Sequence, residues 1–418
     1  MTKFKPTNIK GADDLFGDSF MLKRHIVSIL SRSFEQHGYA EIETAQVNYL
    51  ETLTYKYDAN AEIVKEIYKI KDQGDRDLGL RYDLTVPFCK FIAMNRNLKM
   101  PFRRFEIGKV WRNGPVKAGR LREFYQCDID VVGDKSIAVE AEMIAMSVEI
   151  FRQLGIDVVV EYGNRKLLTQ MIKNVGVGDK NIDGVIGVVD KMKKMTTEEL
   201  SNELGKFMPR TSVEKLLKAF KNPKKNDEIL ELENLLVMYG VGESCLFSPH
   251  LARGLNVYTG TVWEIFDKQG RISSALGGGG RYDKIITEWI SNGQEYPAVG
   301  MAFGLEPIMK VLEQGARFVG RANSARLLVV PMGAGARKIY FVKRLREQGI
   351  NVLVWNDTKV KKAFEYADKE SMPFVTVIGE KEEASGKISI KNMQSGKSTE
   401  VGVENIEQIV LTLSSVEA

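Results

Sequence analysis

The stretch from Phe102 to Val132, FRRFEIGKVWRNGPVKAGRLREFYQCDIDVV, constrains the chain most. It predicts two strands joined by a loop rich in Gly, Pro and basic residues. In the second arm Tyr125, Cys127, Ile129 and Val131 fall on one face; Gln126, Asp128 and Asp130 fall on the other. One face can enter a core while the other presents an amide and two carboxylates. Arg112 closes the first arm, and Arg120 and Arg122 lie just before the second. Guanidiniums at the base of a loop, facing carboxylates, suit a pocket that holds a phosphate and an amine together. A surface hairpin laced with ion pairs has the same composition.

The chain has 418 residues and is 44% hydrophobic, enough for two or three domains with their own cores. A net charge of +5 is compatible with a polyanionic partner. Cys89, Cys127 and Cys245 are far apart, and with His25, His37 and His250 they make no metal-ligand spacing. Reduced thiols and no protein-held metal are expected. The start, MTKFKPTNIKG, has no apolar signal core, and no run of about 18 apolar residues occurs. A soluble cytoplasmic protein is expected.

Phe16 to His37 predicts a core-packing helix, with Phe20, Val27, Leu30 and Phe34 at helical spacing and Gly38 as its cap. Tyr39 to Thr44 predicts a strand. LRYDLTV, Leu80 to Val86, alternates and predicts another; its polar set, Arg81, Asp83 and Thr85, either lines a site for an amine or faces solvent. Ile137 to Leu154 predicts a helix ended by Gly155. From about 165 to 236, lysine-punctuated helical stretches predict an inserted module, whose basic face either meets RNA phosphates or is simply solvated.

LARGLNVYTGTVWEIF places Arg253 between Leu251 and Leu255, where a buried guanidinium needs an anionic partner, from a ligand or from the protein. In SALGGGGRYD, Gly277 to Gly280 let the backbone approach a ligand or pack tightly, without the Lys-Ser/Thr ending of a phosphate-binding loop. AVGMAFGL predicts a strand, after which Pro307 suits a helix's first turn. A boundary near Gly315 to Ser324 separates a domain of alternating strands and helices, ending in the hairpin GKISIKNMQSGKSTEV.

Taken in order, KGADD, LRYDLTVPF, GRLREFYQCDID, LARGLNVYTG, GGGGRYD and the C-terminal VIGEKE and IKNMQSGK stretches resemble histidyl-tRNA synthetases, class II aminoacyl-tRNA synthetases. The resemblance runs nearly end to end. It implies an α+β fold: a class II antiparallel-sheet catalytic domain (1–320) with a helical insertion at about 165–236, then an α/β anticodon-binding domain (325–418). It implies a ligase that joins histidine to ATP as histidyl-adenylate and passes the histidyl group to tRNA(His), with Mg2+ accompanying ATP and a homodimer as the assembly.

By the same resemblance Asp83, Thr85, Gln126 and Asp130 would hold the histidine amino group and imidazole, joined by Tyr258. Arg112 would bind the α-phosphate from the hairpin. Arg253 would approach it from the other side and touch the histidine carboxylate, and Arg120 would reach the outer phosphates. Four places depart from the family pattern: Ala45 replaces the first motif's proline, Asn113 and Gly114 stand where an acidic residue follows Arg112, Pro307 replaces the third motif's arginine, and Asn256–Val257 replace Asp-Tyr. Two rival readings share the fold: a silent regulatory subunit of histidine biosynthesis, and an RNA-binding relative without adenylation.

Overall fold

The computed structural model describes residues 4–55, 62–116, 120–253, 257–315, 325–332, 336–356 and 359–414. The chain divides into two compact units: Met1–Asp14 with His25–Gly315, and Leu15–Arg24 with Ala316–Ala418. No helix among the described residues is long and apolar enough to cross a membrane.

The first unit is built on an eight-stranded sheet. In chain order its first strands are β1 (Ala40–Glu41), then, outside this sheet, β2 (Val47–Tyr49), β3 (Lys69–Lys71) and β4 (Asp77–Leu80), which form a small sheet of their own. The main sheet continues with β5 (Phe102–Trp111), β6 (Glu123–Val132), β7 (Val158–Asn164), β8 (Cys245–Phe247), β9 (Thr261–Asp267), β10 (Gly277–Arg281) and β11 (Ala298–Gly304). Spatial order is β1-β5-β6-β11-β10-β9-β7-β8, antiparallel except at the two edges.

The hairpin is β5 and β6, paired from Phe102↔Val132 to Trp111↔Glu123. Its alternation is realised. Cys127, Ile129 and Val131 are buried, and Tyr125 is half-buried. On that face Phe34 from the helix Gly17–Gln36 and Phe151 from the helix Ile137–Gln153 meet Phe105 and Phe303 of the sheet. The opposite face carries the polar set and forms the site. Gly38 and Gly155 have positive φ where these two helices end. In the first of them the buried stripe is Leu22, Ile26, Leu30 and Phe34; Phe20 is exposed and Val27 only half-buried.

LRYDLTV is not one strand. β4 ends at Leu80, and Thr85 opens the helix Thr85–Met94. Asp83 Oδ1 accepts from the Val86 N–H at 3.0 Å, satisfying an orphan donor of that helix's first turn. Arg81, Tyr82 and Leu84 are all at most 1% exposed, while Asp83 and Thr85 are half-buried. The strand expected over Tyr39–Thr44 contracts to Ala40–Glu41, because Thr44 turns inward to the Glu106 carboxylate.

Arg81 and Glu106 pin the hairpin from beneath. Their ion pair is 2.6 Å long and both are 1% exposed. Arg81 also donates to the Lys109 and Thr44 carbonyls, each at 2.9 Å. Gly108 provides the space, since a Cβ there would overlap the Arg81 guanidinium.

The stretch after β7 is helical: Arg165–Asn174, Asp179–Val189, Thr197–Leu204 and Arg210–Lys221 share a core that includes Leu168, Ile172, Val185, Leu204 and Leu216. The next helix, Asp227–Met238, packs instead on Ile137–Gln153. Part of the basic face is internally paired: Lys193 with Glu161 and Lys225 with Glu233, each at 2.6 Å.

In the second unit β12 (Leu327–Pro331), β13 (Val352–Val354), β14 (Phe374–Ile378), β15 (Lys387–Asn392) and β16 (Ser398–Gly402) form a sheet of order β13-β12-β14-β15-β16. The first three are mutually parallel and the last two form the expected hairpin. Leu327 and Val329 enter one core, Leu328 and Val330 another. Burial on both faces explains the unbroken apolar run RLLVV.

Removing Glu106 leaves the Arg81 charge buried without its carboxylate. Glu106→Ala should cost about 3–5 kcal/mol of stability, read from the midpoint of urea unfolding.

Candidate active site

A cavity of about 150 Å³ opens on the polar face of the hairpin. It gathers Asp83, Thr85, Arg112, Gln126, Asp130, Arg253 and Tyr258, from segments far apart in the chain. Arg120 is not among its lining residues; its guanidinium pairs with Glu66.

Each side chain is held by a local reason. Arg112 follows the last residue of β5. Its Nε donates to the Tyr82 carbonyl at 3.0 Å and its Nη2 reaches Gln126 Oε1 at 3.4 Å. Its Cζ stands 5.0 Å from the Phe124 ring centre. Arg253 has φ +49°, a left-handed conformation that turns its side chain back over the sheet. The sequence reading made it buried; its side chain is 24% exposed, with Nε 3.8 Å from Glu264 and Cζ 5.3 Å from the Tyr258 ring centre. Glu264 supplies a protein carboxylate, and the guanidinium also faces the cavity. Gly254 to Asn256 lie outside the described residues.

The glycine run acts through packing. Gly277–Arg281 is the strand β10, between β9 and β11. A Cβ on Gly278 would stand 3.2 Å from Arg253 Nη1, and one on Gly280 within 2.8 Å of the Tyr258 ring. On β11 a Cβ at Gly300 would overlap the Asp130 carboxylate. Alternate glycines therefore clear one face of the sheet for the site's side chains.

Two titratable residues absent from the assigned set also line the cavity: Asp128 and Tyr282. Asp128 shares the face of Gln126 and Asp130, so strand alternation already pointed to it. The signal for Tyr282 was its place in GGGGRYD. Its hydroxyl donates to Asp130 Oδ1, while Arg104 holds Asp130 Oδ2 at 2.5 Å. Arg104 is fully buried, 4.3 Å from the Phe88 ring centre.

Burial dominates the protonation of these acids. It raises Asp130 to about 6, against the pull of Arg104 and the Tyr282 hydrogen bond. It raises Asp83, with Val86 N–H and Arg112 opposing. It pushes Asp128 well above the usual carboxylate range; Arg104 opposes, while Asp130, Asp83 and Glu106 add to the rise. Arg104 moves up, because its neighbouring acids outweigh the effect of burial. The cavity thus joins two guanidiniums to acids that gain from a bound N–H donor or cation.

Gly114 and Glu66 complete the surroundings. The hairpin has no acidic residue directly after Arg112, yet a carboxylate comes from elsewhere: Glu66, 7% exposed, occupies the space a Gly114 side chain would fill. The Asn113 N–H donates to the Glu66 carbonyl at 2.7 Å. Pro307 lies in the first turn of the helix Leu305–Gln314, beside Glu306, which accepts from the Tyr125 N–H at 2.8 Å.

Residues 11–308 match the family model of histidyl-tRNA synthetase, and 327–413 match that of the anticodon binding domain. The chain is 38% identical to histidine–tRNA ligase 1 of Bacillus cereus, over 96% of both chains. The chain belongs to the histidyl-tRNA synthetase family. It is 32% identical to the histidine–tRNA ligase of Phocaeicola vulgatus, over 97% of this chain and 99% of that one. The crystal structure of histidyl-tRNA synthetase from Nostoc sp. PCC 7120 matches it with a TM-score of 0.84 at 28% identity, over 98% of this chain and all of that one.

The Asp128 shift has a defined sign. Well below pH 4, the acid is protonated in folded and unfolded chains alike. As pH rises the unfolded chain releases that proton first, so this group progressively weakens the fold. Asp128→Asn should therefore raise Tm by a few degrees at pH 7, with the gain shrinking as pH falls and vanishing below about pH 3; paired thermal melts across that range measure it.

Proposed function

We propose that the cavity activates histidine with ATP and that the chain then transfers the histidyl group to tRNA(His). The observation that carries this reading is the convergence, in a chain of this family, of Arg112 and Arg253 with a set of buried acids in one small cavity. In the proposed reaction a histidine carboxylate oxygen attacks the α-phosphorus of ATP. A new O–P bond forms, the bond to the β-phosphate oxygen breaks, and pyrophosphate leaves.

No side chain need become covalent. The task is to bring two anions together and to stabilise charge as it builds on the phosphoryl oxygens. Arg112 takes the α-phosphate from the hairpin side. Arg253 faces it from the opposite segment and reaches the histidine carboxylate. Both stay charged through the reaction. Asp83, Thr85, Gln126 and Asp130 hold the amino and ring ends, with Tyr258 beside them. Arg120, paired with Glu66 away from the cavity wall, is free to serve the outer phosphates only by exchanging that partner.

Magnesium would arrive with the nucleotide, coordinated by its phosphates. Among the described residues no three His, Cys, Asp or Glu side chains are grouped to hold an ion. The C-terminal unit would read the anticodon, whose splayed bases suit a separate domain. A cytoplasmic homodimer is the assembly this reading carries.

Histidine-dependent exchange of labelled pyrophosphate into ATP is the direct assay; folded protein with no exchange above background would overturn the reading. In that assay Arg253→Ala should lose about 10²–10³ in rate, and a near-normal rate would remove Arg253 from the mechanism. A chain ending at Ala325 should keep the exchange yet charge tRNA(His) at least ~10²-fold more slowly; equal charging would exclude the C-terminal unit from tRNA recognition.

A further inference from the structure

A row of charges crosses the sheet from the helical insert to Arg253. The strands β7, β9 and β10 pair so that Glu161, Glu264 and Gly278 stand side by side. These positions share one face of the sheet, the face on which Arg253 lies over Gly278. Arg253 Nε is 3.8 Å from Glu264, too long for a hydrogen bond. At the other end of the row Lys193 Nζ is 2.6 Å from Glu161 and 5.0 Å from the Phe266 ring centre. Lys193 belongs to the turn Met192–Lys194 of the insert, and its side chain is half-exposed.

Two carboxylates directly opposite each other on neighbouring strands repel. Here each has a cation from a different part of the chain: Glu161 takes Lys193 from the insert, and Glu264 takes Arg253 from the segment after β8. The row is coupled electrostatically. Burial raises the Glu264 acid; Arg253 opposes, Asp190 of the insert adds to the rise, Lys193 opposes and Glu161 adds to it. A second link runs through packing. Ala252, directly before Arg253, is 1% exposed within the core of the insert. The His250 ring centre lies 5.9 Å from that of Phe220, on the insert helix Arg210–Lys221.

A guanidinium with no carboxylate beside it samples other rotamers, while one drawn by two carboxylates is held back from an anionic substrate. One acid beside Arg253, with the next acid neutralised by a lysine, lies between these limits. Resting on the role given to Arg253 in the activation reading, we infer that Glu264 is a positioning residue for Arg253, and that Lys193 of the insert limits how strongly the two acids hold it. The 3.8 Å pair opens when the histidine carboxylate and the α-phosphate arrive, and the guanidinium turns to them from an orientation already set. Substrate anions and Glu264 thus compete for one cation, and the insert adjusts the competition from outside the cavity.

The test uses the full-length chain in pyrophosphate exchange, with kcat and the histidine KM measured separately. Lys193→Ala should lower kcat/KM for histidine by about three- to tenfold, because the bare Glu161 carboxylate then adds to the hold on Arg253. Lys193→Arg, which keeps the charge, should stay within about twofold of wild type. Adding Glu161→Gln to Lys193→Ala removes the bare acid and should restore kcat/KM to within about twofold of wild type. Glu264→Gln should lower kcat by about tenfold or more, with the histidine KM changed by less than about threefold. A Lys193→Ala chain with wild-type kcat/KM overturns the inference. So does a loss that Glu161→Gln fails to restore, since the lysine would then act through packing alone. A Glu264→Gln chain with wild-type kcat removes Glu264 from the positioning of Arg253. If Glu264→Gln does not fold by circular dichroism, Glu264→Asp, one methylene shorter, takes its place with a loss of the same sign. Wild type with no histidine-dependent exchange at all sinks the activation reading instead, a result separable from those above.

Discussion

Everything in the catalytic unit depends on charge held inside the sheet. Arg81 is buried beneath the hairpin and Arg104 within it, and neither could remain there without Glu106 and Asp130. These pairs are a costly way to gain stability, since apolar residues of the same volume would serve at least as well. Their value lies in direction. Arg81 ties the connection before the Thr85 helix to the backbone of β5, and so fixes Asp83 and Thr85 against Arg112 and Gln126. The hairpin is less a ribbon on the surface than a lid riveted to the layer below.

The second device is the removal of side chains. A sheet face covered by ordinary residues would have no room for an arginine, a tyrosine and an aspartate lying flat upon it. Gly278, Gly280 and Gly300 supply that room at matched positions on neighbouring strands, where Gly280 pairs with Gly300. The cost is a locally weaker pair of strands, flanked by Trp263 and Phe303, which are fully buried. Preorganisation here comes from absent atoms as much as from hydrogen bonds.

The sequence carried the hairpin and the C-terminal strands clearly, because period-two alternation and Gly-ended helices are local signals. It carried the cavity's residues through the order of short blocks, and the structure brings together all of them except Arg120. Where it misled, the reason was tertiary. LRYDLTV alternates like a strand, yet its polar residues face inward: Arg81 to a glutamate 25 positions later, Asp83 to a helix start. Val27 and Phe20 kept helical spacing but missed the buried stripe by part of a turn. Asp128 was visible on the right face and still went unassigned, since nothing local separates a carboxylate with a partner from one without. Only the fold sets Arg104 against Asp130.

Glu66 against Gly114 has an implication of another kind. The carboxylate beside the hairpin's turn belongs to a segment almost fifty residues earlier, and it fits only because position 114 has no side chain. Glu66 is also bound to Arg120 and, through its carbonyl, to Asn113. These four positions form one heritable unit, not four tunable sites. A hairpin exchanged with that of a relative carrying its own acid after the arginine would bring two carboxylates into one space. Such lineages can drift apart easily, but they cannot trade this loop piecemeal.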